Sequence, residues 1–150
     1  MVLNTLLVLR MGDRAHVLCQ SDVQLDERTL LVPDIAMLRR DPACYATRRP
    51  VAADLLLVVE VAQSSLRYDR GRKVPRYARA GVPEVWIAAL PEQVLDVYRS
   101  PDGARYAEKA VLRPGDVVAP LSLPDVVLDV AEVLRSRYIG SGNEGQSGAG

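Results

Sequence analysis

Glu60 sits inside the run "DLLLVVEVA", where six of the seven residues from Leu55 to Val61 are Leu or Val. An ionised carboxylate taken out of water without a partner costs several kcal/mol. Either this segment reaches water at Glu60 or a cation meets the carboxylate there. A second acid, Asp34, follows Pro33 in "LLVPDIAML" and also interrupts an apolar stretch. Neighbouring strands lie about 4.8 Å apart, so acids on adjacent strands can converge on one point. Two bare carboxylates that close repel, and one of them holds a proton unless a cation intervenes. Mg²⁺ suits such a pair, because it takes a few carboxylate oxygens and keeps several waters.

Lys73 supplies a third charge. It is one of only two lysines, with Lys109, in a chain that otherwise uses arginine. An ammonium on a flexible stem whose pKa responds to its surroundings is not equivalent to a guanidinium. Two acids, a divalent metal and an ammonium are the parts required for metal-assisted hydrolysis of a phosphodiester. Each residue also has an ordinary reading. A Pro-Asp pair suits a strand entry, where Asp bonds nearby backbone; Glu60 can mark an exposed strand end; Lys73 can ride on a solvated helix face.

The elements that must position these residues follow from the patterning. Residues 1–11 fit either the end of a helix or an edge strand. "AHVLCQSDVQL" (15–25) and "TLLVPDIAML" (29–38) predict two strands joined by a polar turn, and 39–50 predicts a loop. Leu55 to Val61 predicts a central strand covered on both faces. A helix follows, capped by Ser64 or Ser65 and stopped by Gly81 and Pro83. Within it Pro75 predicts a disturbance: proline is costly in a helix interior, so a start near Val74 would re-aim Lys73. Strands at 84–90 and 93–100, a hairpin turning at Asp102-Gly103, and a short amphipathic helix complete the fold. The predicted class is α/β or α+β, a mixed central sheet flanked by helices, in one domain over 1–138. The tail 139–150, "IGSGNEGQSGAG", is too polar to bury a core and is expected to be disordered.

Composition narrows the classes. With 150 residues, 49% of them hydrophobic, the chain can build one core. A formal net charge of zero gives no global field toward nucleic acid or membrane, so any such contact must be local. Cys19 and Cys44 have neither metal nor disulfide spacing, which fits a reducing cytoplasm. No apolar run approaches the roughly 18 residues of a transmembrane helix, and the start has no basic leader. Arginine in place of lysine, with abundant Ala, Val and Gly, points to a high-GC bacterial genome. His16 has no acid or nucleophile at motif spacing, the serines have no histidine partner, and no phosphate-binding glycine loop occurs. Arg67, Arg70, Arg72, Arg76 and Arg79 form a local positive cluster, either a solvated face or a contact for phosphates.

Taken in order, "PDIAMLRR", "ADLLLVVEVAQSS" and "YDRGRKVPRYARAGVPEVWI" resemble the Uma-two family of restriction-endonuclease-like proteins, within the PD-(D/E)XK nuclease superfamily. "VYRSPDGARY" and "LPDVVLDVAEVL" extend the resemblance over about residues 18–135. It implies a restriction-endonuclease-like core, a Mg²⁺- or Mn²⁺-dependent endonuclease acting on DNA, with Asp34 and Glu60 as metal ligands and Asp34, Glu60 and Lys73 as the catalytic set. The superfamily's simplest motif puts its lysine two residues after the acid, where this chain has Ala62. The family resemblance instead points to Lys73 on the following helix, with Tyr77 one turn beyond it, packing or orienting. Members of the family usually carry a further N-terminal segment, a helix, a hairpin and another helix, which covers one sheet face and can lend another acid. Its absence here favours a second reading, an inactive relative acting as a nucleic-acid-binding or protein-interaction module. A third reading is a small structural domain whose two acids are strand-end residues. Cutting both strands of a duplex usually takes two sites, so a homodimer is compatible with the first reading.

Overall fold

The computed structural model describes residues 3–135, so the tail expected over 139–150 lies outside the described residues. In chain order the elements are α1 (Leu3–Met11), β1 (His16–Cys19), β2 (Val23–Gln24), β3 (Leu30–Leu31), β4 (Ile35–Leu38) and β5 (Leu55–Ala62). A helical segment follows in three parts: α2 (Leu66–Tyr68), a π-helical turn (Asp69–Lys73) and α3 (Val74–Arg79). Then come β6 (Glu84–Ala89), β7 (Val94–Asp102), β8 (Arg105–Leu112), β9 (Val117–Val118), β10 (Leu128–Asp129) and α4 (Val130–Arg135). The class is mixed α+β, as the patterning predicts.

Among the described residues the main sheet has six strands in the order β1-β4-β5-β6-β7-β8. Neighbours are antiparallel except β5 and β6, which are parallel. A parallel pair needs a long crossover, and the helical segment 66–79 provides it. The segment thereby lies over the sheet rather than in it.

Both faces of the sheet are covered, which explains the unbroken apolar run in β5. Leu57 and Val59 join Trp86, Val97, Ile35 and the helices α1 and α4 in one core; Val58 and Ala62 join Val85, Ile87, Tyr77 and Tyr98 in the other. Side chains alternate across a strand, so Glu60 belongs with Val58 and Ala62, facing the helical segment.

Three expectations change. The strands predicted at 15–25 and 29–38 each break in two. Gln20 takes a left-handed φ of 48° and Pro33 interrupts the second run, so the outer parts pair as a small β2–β3 ribbon. Of the two forms open for the N-terminal run, Leu3–Met11 takes the helix, with Leu3, Leu6, Leu7 and Met11 buried against the sheet. Pro75 does not delay the start of the helical segment to Val74. The turn before it widens instead, with the Val74 N–H bonded to the Asp69 carbonyl five residues back. A proline ring presses on the carbonyl four residues earlier, and a π turn opens room there. Helix therefore runs from Leu66, and Gly81, with φ of 76°, closes it.

Candidate active site on the helix-covered face

Asp34 immediately precedes β4, and the β4–β5 register pairs Ile35 with Val59. Continued by one residue, that register sets Asp34 opposite Glu60. Both then point to the same face, toward the helical segment. The Asp34 Oδ2 accepts the Val61 N–H at 2.8 Å, which ties this acid to the end of β5.

Glu60 is fully buried, with an exposure of 0%. Its Oε1 accepts the Tyr77 hydroxyl at 2.7 Å, and its Oε2 lies 3.1 Å from the Lys73 Nζ. Lys73 thus reaches Glu60 despite Pro75, because the widened turn carries it over the sheet. Asp69, in the same turn and also buried, accepts the Ser65 hydroxyl at 3.0 Å and stands 3.6 Å from Lys73. Ser65 does begin the helix, but its hydroxyl binds this carboxylate and caps no backbone amide.

The electrostatics follow from an excess of acid. Burial first, and then the Asp34 charge, push Glu60 up to about 7, although Lys73 and Tyr77 oppose them. Burial also raises Asp34 against the help of the Val61 N–H and Lys73. Burial alone would lower Lys73, but the Glu60 carboxylate outweighs it, so the ammonium holds its proton more tightly than usual. Tyr77 is raised far above the ordinary phenol range by burial and by Glu60, and it remains a donor. Three carboxyls, Asp34, Glu60 and Asp69, thus share one ammonium. At neutral pH the group keeps a proton unless a further cation enters.

The donor set suits a hard cation. Asp34 and Glu60 offer oxygens only, and Mg²⁺ asks for few protein ligands because it retains water. Among the described residues no cluster of three or more His, Cys, Asp or Glu forms a full cage for a metal ion. The fit is therefore to a hydrated divalent ion held by two acids, and not to a zinc-type site.

The same face carries an arrangement that the sequence reading missed. Asp96 on β7 pairs with Ile87, which pairs with Glu60 on its other side, so Asp34, Glu60, Ile87 and Asp96 form one row across the sheet. Asp96 is fully buried and accepts the Arg70 Nε at 2.6 Å, while Arg70 also grips Glu92 through two bonds of 2.9 and 2.8 Å. Arg70 belongs to the arginine cluster read as either a solvated face or a contact for phosphates; it is committed to Asp96 and Glu92 instead. Arg70 and Lys73, three residues apart, thus pin the π turn to two acids of one row. The i,i+4 spacing of Asp69 and Lys73 was a readable signal for Asp69.

His16 lies in β1 with its ring edge-on to Tyr45, 5.7 Å between centroids, and Trp86 is buried in the core.

The comparisons with known proteins agree with this architecture. A family model described as "Uma2: Putative restriction endonuclease" matches residues 2–131. The chain belongs to the Uma2 family. Among solved structures it is similar to "a putative nuclease belonging to DUF820 from Anabaena variabilis", with a TM-score of 0.65 and 16% sequence identity over 87% of this chain and 75% of that one. At that identity the likeness is one of fold: this chain and that neighbour share their overall architecture. No curated protein matches the chain. No helix among the described residues is long and apolar enough to cross a membrane.

Proposed function

We propose that this Uma2 protein is a divalent-metal-dependent endonuclease that hydrolyses phosphodiester bonds in DNA. The observation that carries the reading is the pairing of Asp34 with buried Glu60, with more carboxylate present than cation. Asp34 and Glu60 would hold Mg²⁺ or Mn²⁺. A cation so held supplies the acidification of a water and the neutralisation of charge on the phosphate.

The chain's own residues do the rest. Tyr77 donates to Glu60 and fixes its orientation. Lys73, kept protonated, cannot serve as the base; it offers an N–H donor and a positive charge to a phosphate oxygen. Asp69 holds the ammonium on its far side. The unpaired thiols Cys19 and Cys44 suit a cytoplasmic setting, and a homodimer would bring the second site that a duplex cut requires.

A second reading has its own support. Both Glu60 oxygens already have donors, Lys73 and Tyr77, so the site is partly self-compensated. That favours a family member that binds nucleic acid without cutting it.

Titration with Mg²⁺ or Mn²⁺ separates the two. The endonuclease reading expects a rise in melting temperature that Glu60→Ala abolishes, and nicking of supercoiled plasmid that Asp34→Ala abolishes. Salt-sensitive DNA binding with no nicking by the wild type would establish the second reading instead.

A further inference from the structure

We propose that the surface around Tyr68 receives an unpaired stretch of a nucleic-acid strand, with a base stacked on the Tyr68 ring and the adjoining phosphates on Arg67 and Arg72. The inference rests on the nuclease reading and refines its substrate, from any duplex to one with unstacked bases beside the cleavage site.

Tyr68 is 48% exposed. Every other described aromatic is turned inward: Trp86, Tyr77, Tyr98 and Tyr106 are buried and Tyr45 is half-buried. One aromatic face is therefore offered to solvent, and it stands on the same helical segment as Lys73. The two are five residues apart, about one widened turn. A base seated on Tyr68 would lead its own backbone past the ammonium.

The charges around Tyr68 are free. Arg14, Arg48, Arg70 and Arg99 each face a carboxylate, whereas Arg67 and Arg72 are exposed and have none within ion-pair distance among the described residues. A guanidinium without an internal partner is available to a phosphate. The same two arginines line a cleft of about 430 Å³ with Ser64, Ser65, Tyr68 and Gly71. That volume lies within the range of small-ligand sites.

Gly71 supports the same conclusion. Glycine weakens a helix, and nothing lies within 4 Å of the position its Cβ would take, so no packing contact requires it. Its bare backbone also borders a second cleft, on the side of Arg70 and Glu92, so the two clefts meet at residue 71. A strand can cross there against the main chain. Aromatic stacking between arginines is the usual means of holding single strands, and it accepts any base because each has a π face.

The test uses fluorescence anisotropy on the full chain in EDTA, with a short fluorescein-labelled oligonucleotide alone and annealed to its complement. The single strand is expected to bind more tightly than the duplex. The single-strand-to-duplex affinity ratio should fall roughly tenfold in Tyr68→Ala and be kept in Tyr68→Phe. Arg72→Gln should weaken single-strand binding and flatten its salt dependence. An unchanged ratio in Tyr68→Ala, or a wild type that favours the duplex, overturns the stacking site and leaves the nuclease reading standing. Failure to bind either oligonucleotide also overturns the stacking site, while plasmid nicking with Mg²⁺ decides the nuclease reading separately. Because Tyr68 and Arg72 are exposed, a thermal melt checks that the variants fold.

Discussion

Glu60 and Glu84 are both fully buried and stand on adjacent parallel strands, yet their surroundings differ in the balance of acids and donors. Glu84 begins β6 on the α1 and α4 side of the sheet. Its Oε2 accepts the Arg99 Nε at 2.8 Å and the Trp86 Nε1 at 2.9 Å, and its Oε1 accepts the Leu121 N–H at 2.9 Å. Arg99 also donates to the Ala119 carbonyl at 2.7 Å, so the cluster fastens residues 119–121 to the end of the sheet. Here one acid meets three donors and one full positive charge. Glu60, near the far end of β5 and on the opposite face, shares a single lysine with Asp34 and Asp69. A buried acid is therefore no sign of a site in itself. A surplus of acids over cations is.

The most direct test of this contrast is stability. In EDTA at pH 8, Glu84→Gln is expected to cost about 2 kcal/mol, because the amide leaves a half-buried guanidinium and two N–H groups poorly matched. Glu60→Gln should be at least as stable as the wild type, since it removes an acid that the site cannot fully compensate. Urea unfolding of the three proteins measures both. A Glu60→Gln variant as damaged as Glu84→Gln would mean that Glu60 is a structural lock of the same kind.

The pH dependence sharpens the contrast. Glu60 rises from an ordinary 4.5 to about 7 on folding, so the folded state binds the extra proton between those values. The raised pKa favours the protonated, folded form; its stability is fully present below pH 4.5 and is lost as pH climbs through about 7. The loss amounts to something on the order of 3 kcal/mol in metal-free protein. Asp34 acts in the same direction. Glu84→Gln should keep this slope and Glu60→Gln should lose most of it. Added Mg²⁺ should restore stability chiefly above pH 7, where the carboxylates are free of protons.

Much of this was readable in the chain. An acid inside an unbroken Leu and Val run signals a doubly covered strand and leaves that acid either at water or beside a cation; the structure buries it and brings the Lys73 ammonium to 3.1 Å. Asp34 was legible as an acid at a strand entry that bonds nearby backbone, which it does through the Val61 N–H; only the β4–β5 register sets it opposite Glu60. The Glu84 lock was not, since its donors come from β7 and from residues 119–121, and no local pattern links them to β6. Nor was the path of Lys73 legible. A regular α-helix with Pro75 in it would have turned the lysine away, and only the widened turn, held down by Arg70 on Asp96, directs it to Glu60. The continuous strands predicted at 15–25 and 29–38 pass over Gln20-Ser21-Asp22 and Pro33-Asp34, which interrupt their apolar residues, and the breaks fall at those interruptions.

Tyr77→Phe gives the smallest and most discriminating shift. The ring is fully buried in the core beneath the helical segment, so its packing survives the substitution and only the hydroxyl leaves. If Tyr77 merely fills space, stability should be unchanged at every pH. If it orients Glu60, the carboxylate loses one of its two side-chain donors. The cost is then about 1 kcal/mol above pH 7, where Glu60 is ionised, and less in acid, where the proton on Glu60 weakens the need for a donor. The midpoint of the pH profile should move upward, because the Tyr77 hydrogen bond favours the ionised form of Glu60. Denaturation midpoints at pH 5 and pH 8 in EDTA read the difference. A uniform loss at both would assign the hydroxyl to packing and leave Lys73 as the sole group that positions the acid.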